Sequence, residues 1–131
     1  MSERVRKELE LLSRRYPAFV FKEEGMWVRI PDFPLPDGWN REVTDVVFQI
    51  PPQYPGGHPY GILVPAGIQF NGARPQNYTE PSDVRPPFEG EWGKFSWQPS
   101  DGQWNPTADI ISGSNLLNWV EGFRQRFKEG L

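Results

Sequence analysis

The feature of this sequence that most constrains its fold is the stretch 66–106, which glycine, proline and asparagine interrupt so often that no long periodic segment remains. Proline lacks a backbone donor and glycine weakens regular elements, so neither a long helix nor a long regular strand fits. A stretch of this length without regular structure is usually either functional or disordered. Large aromatic residues favour a packed, ordered loop. They include Phe70, Tyr78, Phe88, Trp92, Phe95 and Trp97.

The part of the chain before this stretch predicts one helix and four strands. Apolar residues at Val5, Leu9, Leu12 and Tyr16 recur at helical spacing, and Pro17 ends the pattern. Short β-type runs follow at residues 18–22, 26–30, 43–50 and 61–64. Residues 31–38 are rich in proline, so the sequence predicts an irregular connection there rather than a strand.

A second helix is predicted after the long stretch, with Asp109 as its N-cap and an end near Gly130. Its apolar face is marked by Ile110, Leu117, Val120 and Phe127. The whole chain, residues 1–131, is predicted to form one α+β domain. That domain has an N-terminal helix, a four-stranded antiparallel meander, a long ordered active-site loop and a C-terminal helix.

Composition excludes several classes of function. Fourteen basic and seventeen acidic side chains give a net charge of -3 without a basic block, so nucleic acid is not an expected partner. The absence of cysteine excludes disulfides and thiol nucleophiles. His58 is the only histidine, and no ligand spacing accompanies it, so neither a metal nor another cofactor is expected. The polar N-terminus and the lack of a long apolar run predict a soluble, cytoplasmic protein without a membrane span.

Residues 93–106 are the first candidate for a functional site. The hydroxyl of Ser96 lies in a run of glycine, proline and tryptophan, and three large side chains, Phe95, Trp97 and Trp104, are suited to anchor the run to a core. Loops held on a rigid scaffold are where binding and catalysis concentrate. The alternative is a surface loop whose tryptophans complete the core and whose serine is solvated, since a lone serine without an adjacent base is a weak signal.

The order of the predicted elements and four short motifs resembles the ubiquitin-conjugating fold. The motifs are the turn Tyr54-Pro55 followed by Pro59, the run Gly93-Lys94-Phe95-Ser96, the triplet Trp104-Asn105-Pro106 and the helix cap Asp109. In that family the first three motifs read Tyr-Pro-x-x-Pro-Pro, Gly-x-Val/Ile-Cys and Trp-Ser-Pro. Residues 35–55 look closer still to the bacterial branch called prokaryotic family E.

This resemblance implies two partners, an activating enzyme and a ubiquitin-like protein encoded beside it, together with a target that the sequence does not identify. In the family, the first helix and the Tyr-Pro turn contact such partners. The charged contacts expected here are Arg4, Arg6 and Lys7. The other expected partner contacts are Tyr54, His58, Trp97 and Trp104.

The resemblance also assigns catalytic roles, although the sequence departs from the family pattern at both catalytic motifs and has no helices after the second one. Ser96 stands at the position of the catalytic cysteine, so any acyl adduct is an oxyester rather than a thioester. Residues 74–77 echo the His-Pro-Asn tripeptide of the family, which makes the Asn77 amide a candidate donor to the oxyanion, although it is far from Ser96 in sequence. A serine needs a base, and Asp101 or Asp109 is available nearby in the chain.

Three functions remain open at this point. In the first, Ser96 accepts the carbonyl of a ubiquitin-like protein and passes it on. In the second, the chain is a non-catalytic ubiquitin-conjugating variant that only binds such a protein. The third, a lectin or peptide binder that uses its six tryptophans, depends on aromatic content alone, which a buried core explains more simply.

Overall fold

Residues 1–99 and 103–130 are described by a computed structural model of the chain, and they form an α+β fold with a helix near each end. The first helix, α1, spans Glu3–Arg15, and the last, α2, spans Leu116–Glu129. Six strands lie between them: β1 Val20–Lys22, β2 Trp27–Pro34, β3 Val43–Gln49, β4 Ile62–Pro65, β5 Tyr78–Thr79 and β6 Trp92–Phe95. Among these residues no helix combines the length and apolar character that crossing a bilayer requires.

The strands form one antiparallel sheet in the order β1-β2-β3-β4-β6-β5. The four predicted strands are present as a meander, but the prediction of a four-stranded sheet was wrong. Strands β5 and β6 come from the stretch predicted as an irregular loop. They are two and four residues long, too short for their periodicity to be detected.

Strand β2 is longer than predicted. It continues through residues 31–34, where the prolines predicted a loop. Its pairing with β3 shifts register between Ile30 and Phe33, and Asp32 in the shift has a left-handed φ of 55°. Pro31 lies within this bulge, which leaves backbone groups outside the regular ladder, so its missing donor costs no ladder bond there.

Both helices pack against one face of the sheet. In β3 the side chains of Val46 and Phe48 belong to this main core, whereas Val47 between them faces the other side. The helices contribute Val5, Leu9, Leu12, Leu116, Trp119, Val120, Phe123 and Phe127. The opposite face carries a smaller cluster of Trp27, Val47, Leu63 and Trp92, which Val84 and Phe88 cover. The stretch 80–91 therefore protects the outer face of the sheet.

The start of α2 also differs from the prediction. Its N-cap is Asn115, which forms a reciprocal capping box with Asn118, and not Asp109. The Asp109 carboxylate instead accepts hydrogen bonds from Ile111 N at 3.0 Å and Ser112 Oγ at 2.8 Å and so closes a separate turn. Asparagine and aspartate are both good caps, and the sequence alone did not distinguish them. Leu117, predicted to mark the apolar face of this helix, is only half-buried.

Candidate functional site

Ser96 follows directly on β6, at the point where this strand leaves the sheet. Burial alternates along the chain here, because Phe95 and Trp97 are buried and Ser96 between them is exposed. The Trp97 carbonyl accepts a hydrogen bond from Gly61 N at 2.6 Å, so this segment is also held by the residue that leads into β4. The Ser96 side chain is therefore presented to solvent from a fixed backbone.

Asn77 lies next to Ser96 even though the two are distant in sequence. Ser96 N donates a hydrogen bond to the Asn77 carbonyl at 2.8 Å, and Tyr78 pairs with Phe95 in the adjoining strands. Asn77 is exposed and has a left-handed φ of 57°, a conformation that asparagine tolerates better than most residues. The distance between Asn77 and Ser96 in the sequence argued against such a contact. The pairing of β5 with β6 brings the two residues together.

Gly93 has a packing role in the same ladder. A Cβ atom at this position would lie 1.9 Å from the Tyr78 hydroxyl, so the Tyr78 ring lies directly against the glycine. The Tyr78 hydroxyl donates to Glu80 Oε1 at 2.6 Å, and Gly67 N donates to the same oxygen at 2.7 Å. The Gly67 amide, followed by the Tyr78 hydroxyl, lowers the pKa of the Glu80 carboxyl. These contacts fix the backbone beside Asn77.

The described residues supply no base hydrogen-bonded to the Ser96 hydroxyl. Asp101 lies outside the described residues. Asp109 is committed to its own turn, and the hydrogen bond from Ile111 N, followed by that from Ser112, lowers the pKa of its carboxyl. A carboxylate stabilised in its charged form is a weaker proton acceptor.

His58 and Lys94 are two basic side chains whose surroundings bear on the chemistry of Ser96. His58 Nδ1 lies 2.8 Å from the Pro59 carbonyl, which requires Nδ1 to carry the proton and leaves Nε2 as the acceptor. Lys94 lies two residues before Ser96 in the alternating segment, so both side chains leave the same side of the strand. Lys94 Nζ is 3.7 Å from Asp83 Oδ1 and 5.7 Å from the centre of the Tyr60 ring. Lys94 thus places a positive charge on the side of Ser96, a role that sequence reasoning missed.

Two of the predicted partner contacts are core residues. The Tyr54 side chain is 8% exposed and the Trp97 side chain 1% exposed, so a partner cannot reach either in this structure. Trp104 is half-buried, and the centre of its ring lies 5.7 Å from the centre of the Tyr54 ring. Its indole N–H donates a hydrogen bond to the Pro55 carbonyl at 2.9 Å. His58 is half-buried in the same turn. The contacts of Trp104 with Tyr54 and Pro55 therefore join the turn to the segment 103–106.

The three predicted charged contacts on α1 differ in environment. Arg6 is exposed, and Lys7 is exposed with a 3.4 Å ion pair to Glu3. Arg4 instead points inward, where its Nε lies 2.8 Å from Glu8 Oε2 and its guanidinium also donates to the Thr107 carbonyl. Arg6 and Lys7 are available to a partner, whereas Arg4 is engaged within the fold.

Glu8 is a buried acidic residue that the sequence analysis missed. It is fully buried, and its Oε1 accepts hydrogen bonds from the Tyr54 hydroxyl and from Leu116 N, the latter at 2.7 Å. With Arg4 on its other oxygen, the carboxylate joins α1, the Tyr54 turn and the first turn of α2. Burial, followed by this hydrogen bond to Glu8, raises the pKa of Tyr54. The available signal was an acidic residue within the apolar stripe of α1.

A cleft of about 240 Å³ has residues 97–99 and 103–104 on one side and α2 on the other. Its described lining comprises Trp97, Gln98, Pro99, Gln103, Trp104, Ser114, Asn118, Trp119, Gly122, Phe123 and Arg126. Trp97 and Trp119 have buried indole N–H groups without an acceptor among residues 1–99 and 103–130. Since Ser96 and Trp97 point to opposite sides, the cleft and the Ser96 hydroxyl lie on different sides of this segment.

No family model, curated protein or solved structure matches this chain. Within the described part of the chain, no group of three or more histidine, cysteine, aspartate or glutamate side chains converges in a way that would hold a metal ion. The arrangement around Ser96 offers an exposed hydroxyl, an adjacent asparagine and a lysine two residues earlier in the chain.

Proposed function

We propose that this chain is a ubiquitin-conjugating-like protein whose Ser96 accepts the carboxyl terminus of a ubiquitin-like protein as an oxyester and transfers it to a target. The observation that carries this proposal is the juxtaposition of an exposed Ser96 with Asn77, joined by the 2.8 Å hydrogen bond between their backbones. The two residues correspond to the acceptor and the oxyanion donor that the family resemblance assigns. The helix–sheet–helix order supports the same interpretation.

The proposed chemistry has two acyl-transfer steps. The Ser96 oxygen attacks the carbonyl carbon of a thioester on the activating enzyme, so a C–O bond forms and the C–S bond breaks. The thiolate of the activating enzyme is the leaving group, and the hydroxyl proton passes through solvent to that thiolate. An acceptor nucleophile on the target then attacks the oxyester, and the Ser96 oxygen departs with a proton. Asn77 and the charge of Lys94 would stabilise the oxyanion in both steps.

The alternative is a non-catalytic binding module for a ubiquitin-like protein. The observation that favours it is the lack of a base bonded to the Ser96 hydroxyl among the described residues. Serine depends on such a base more than cysteine does, since little of it ionises at neutral pH. The two functions give different products with the same partners, so one experiment distinguishes them.

The test is incubation with the activating enzyme, ATP and the ubiquitin-like protein that the resemblance implies are encoded beside this chain. We expect a covalent adduct that resists thiol reductants and is cleaved by hydroxylamine, because an ester reacts with thiols far more slowly than a thioester. Ser96→Ala should abolish the adduct, whereas Ser13→Ala on α1 should leave it unchanged. Asn77→Gly, which keeps the left-handed backbone, should slow adduct formation by about 10²-fold or more.

Two results would reject acyl transfer by Ser96. One is normal conjugation by Ser96→Ala, and the other is binding of the ubiquitin-like protein without any adduct. The second result would establish the binding module. An adduct mapped to Ser100 or Thr107 would keep the acyl-transfer chemistry and reject the assignment of Ser96.

A further inference from the structure

Lys94 carries an amine on the same face of the sheet as the Ser96 hydroxyl. One residue separates the two, so their Cα atoms are about 6.5 Å apart along an extended backbone, and their side chains leave the same face. Lys94 pairs with Leu63, which belongs to the cluster on the outer face. Lys94 and Ser96 are therefore neighbours on the outer face of the sheet.

The contacts of Lys94 direct its side chain towards Ser96 rather than towards Trp92. Lys94 pairs with Leu63 on β4. The two strands are antiparallel, so Gly61, two residues before Leu63, lies level with Ser96. A Cβ atom at Gly61 would be 2.9 Å from Lys94 Cε and 3.9 Å from Lys94 Nζ. Because Gly61 has no side chain, the end of the Lys94 side chain lies over it, on the Ser96 side of Leu63.

Two further contacts limit the freedom of the Lys94 side chain, which is 21% exposed. Its Nζ lies 5.7 Å from the centre of the Tyr60 ring and 3.7 Å from Asp83 Oδ1. Tyr60 directly precedes Gly61, so both residues lie towards the same end of β4. A side chain held in this way samples a small volume, which raises the effective concentration of its amine at the neighbouring residue.

An acyl group on Ser96 would place an ester carbonyl carbon beside this amine. Amines attack esters to give amides, and the amide is the more stable product. We propose that, when no target is bound, the acyl group moves from the Ser96 oxygen to Lys94 Nζ. The chain is then conjugated to the ubiquitin-like protein at its own Lys94. This inference rests on the acyl transfer proposed for Ser96 and assigns Lys94 as a site of self-modification.

The proposed step needs no reactant beyond the oxyester. Lys94 first releases its proton to solvent, because only the neutral amine attacks. Its nitrogen then forms a C–N bond to the ester carbonyl carbon, the C–O bond to Ser96 breaks, and the Ser96 oxygen takes a proton from the attacking nitrogen. The products are an amide on Lys94 and a free Ser96 hydroxyl. Since an amide resists further attack by amines, that acyl group no longer passes to a target.

The test follows the adduct over time with the activating enzyme, ATP and the ubiquitin-like protein, without a target. We expect an ester that hydroxylamine cleaves at first, and later an adduct that resists hydroxylamine and that peptide mass spectrometry maps to Lys94. Lys94→Arg keeps a positive charge but has no nucleophilic amine, so the resistant fraction of the adduct should fall about tenfold or more. Lys128 on α2 is exposed and is not held beside Ser96, so Lys128→Arg should leave that fraction within about twofold of wild type.

A second arm replaces the protein partners by a small acyl donor, the thiophenol thioester of N-acetylglycine. Direct reaction of this thioester with exposed lysines gives a background, which Lys128 reports. We expect about tenfold more acylation at Lys94 than at Lys128 in the wild type, and Ser96→Ala should bring Lys94 down to the background. Circular dichroism checks that each variant is folded.

Three outcomes would overturn the proposal. They are a Ser96 ester that only hydrolyses, a resistant adduct that persists in Lys94→Arg, and equal acylation of Lys94 in wild type and Ser96→Ala. The first of these rejects the shift to Lys94 and leaves acyl transfer by Ser96 in place. Acylation of Lys94 by the small donor that requires Ser96, without any adduct from the ubiquitin-like protein, would reject the proposed conjugation and retain the shift. Absence of acylation in both arms would reject both.

Discussion

Glu8 and Ser96 are both polar residues with large apolar neighbours, but they differ in burial and in hydrogen bonding. Glu8 is completely buried, and three partners from three parts of the chain bond to its carboxylate. Ser96 is exposed, and its hydroxyl has no hydrogen-bond partner among residues 1–99 and 103–130. A buried charge must be paired, whereas an exposed hydroxyl is solvated and costs little. Stability should therefore depend strongly on the first and activity on the second.

The largest expected effect is that of Glu8→Ala on the free energy of unfolding. Removing the carboxylate takes the acceptor from the Tyr54 hydroxyl and Leu116 N and the counter-charge from Arg4, and breaking a buried pair in this way costs about 3–5 kcal/mol. Urea denaturation would measure this loss. Ser96→Ala should change the same quantity by less than about 0.5 kcal/mol.

The exposed ion pair between Glu10 and Arg14 provides a control on the same helix. Glu10→Ala removes a pair whose side chains are mostly solvated, so it should cost about 0.3–0.5 kcal/mol. A loss below about 1 kcal/mol for Glu8→Ala would contradict the structural role assigned to Glu8. A large loss of unfolding free energy for Ser96→Ala would show that this hydroxyl has a structural partner. Glu8 and Ser96 would then not differ in their contribution to stability.

A smaller effect is expected for Gly93→Ala, in the ladder that holds Ser96 beside Asn77. An added methyl group would overlap the Tyr78 hydroxyl, and overpacking of this kind costs about 1–3 kcal/mol. In a Tyr78→Ala background the overlap is absent, so the added cost of Gly93→Ala should largely vanish. Thermal or urea unfolding of the four proteins measures this coupling. Equal costs in both backgrounds would reject the packing role of Gly93.

The smallest effect concerns the Glu80 carboxylate, which is stabilised in its charged form by Gly67 N and then by the Tyr78 hydroxyl. Its folded pKa is lowered, so its contribution is present above the unfolded value of about 4.3 and is lost as pH falls through the folded pKa. Wild type should therefore exceed Glu80→Gln in stability at pH 7, and the difference should shrink below about pH 4. Unfolding curves across this range provide the measurement. A difference that grew on acidification would contradict the assignment.

The elements that the sequence predicted correctly are those whose pattern is local and long enough to read. The apolar spacing of Val5, Leu9 and Leu12 defines α1, and all three are buried. The β-type runs define β1 to β4, since each has a turn signal beside it. A helix pattern near the end of the chain was sufficient to predict α2, though not its first residue.

What the sequence left undecided depends on contacts between distant residues. Strand β6 exists because it pairs with β4 and β5, so its four residues are stabilised by neighbours that no local window contains. The same pairing places Asn77 against Ser96. Similarly, Glu8 is only an acidic residue on an apolar face until the Tyr54 hydroxyl and Leu116 N meet it.

The sequence by itself determined the α+β class, the first helix, the first four strands and the choice of Ser96 as an exposed candidate between two aromatic residues. The tertiary structure decided the six-stranded sheet, the place of Asn77, the buried carboxylate and the cleft beside α2. Local elements follow from side-chain spacing, because burial of one face repeats with the period of the backbone. A site follows from which segments meet, and that is fixed only when the sheet order and helix packing bring distant residues within bonding distance.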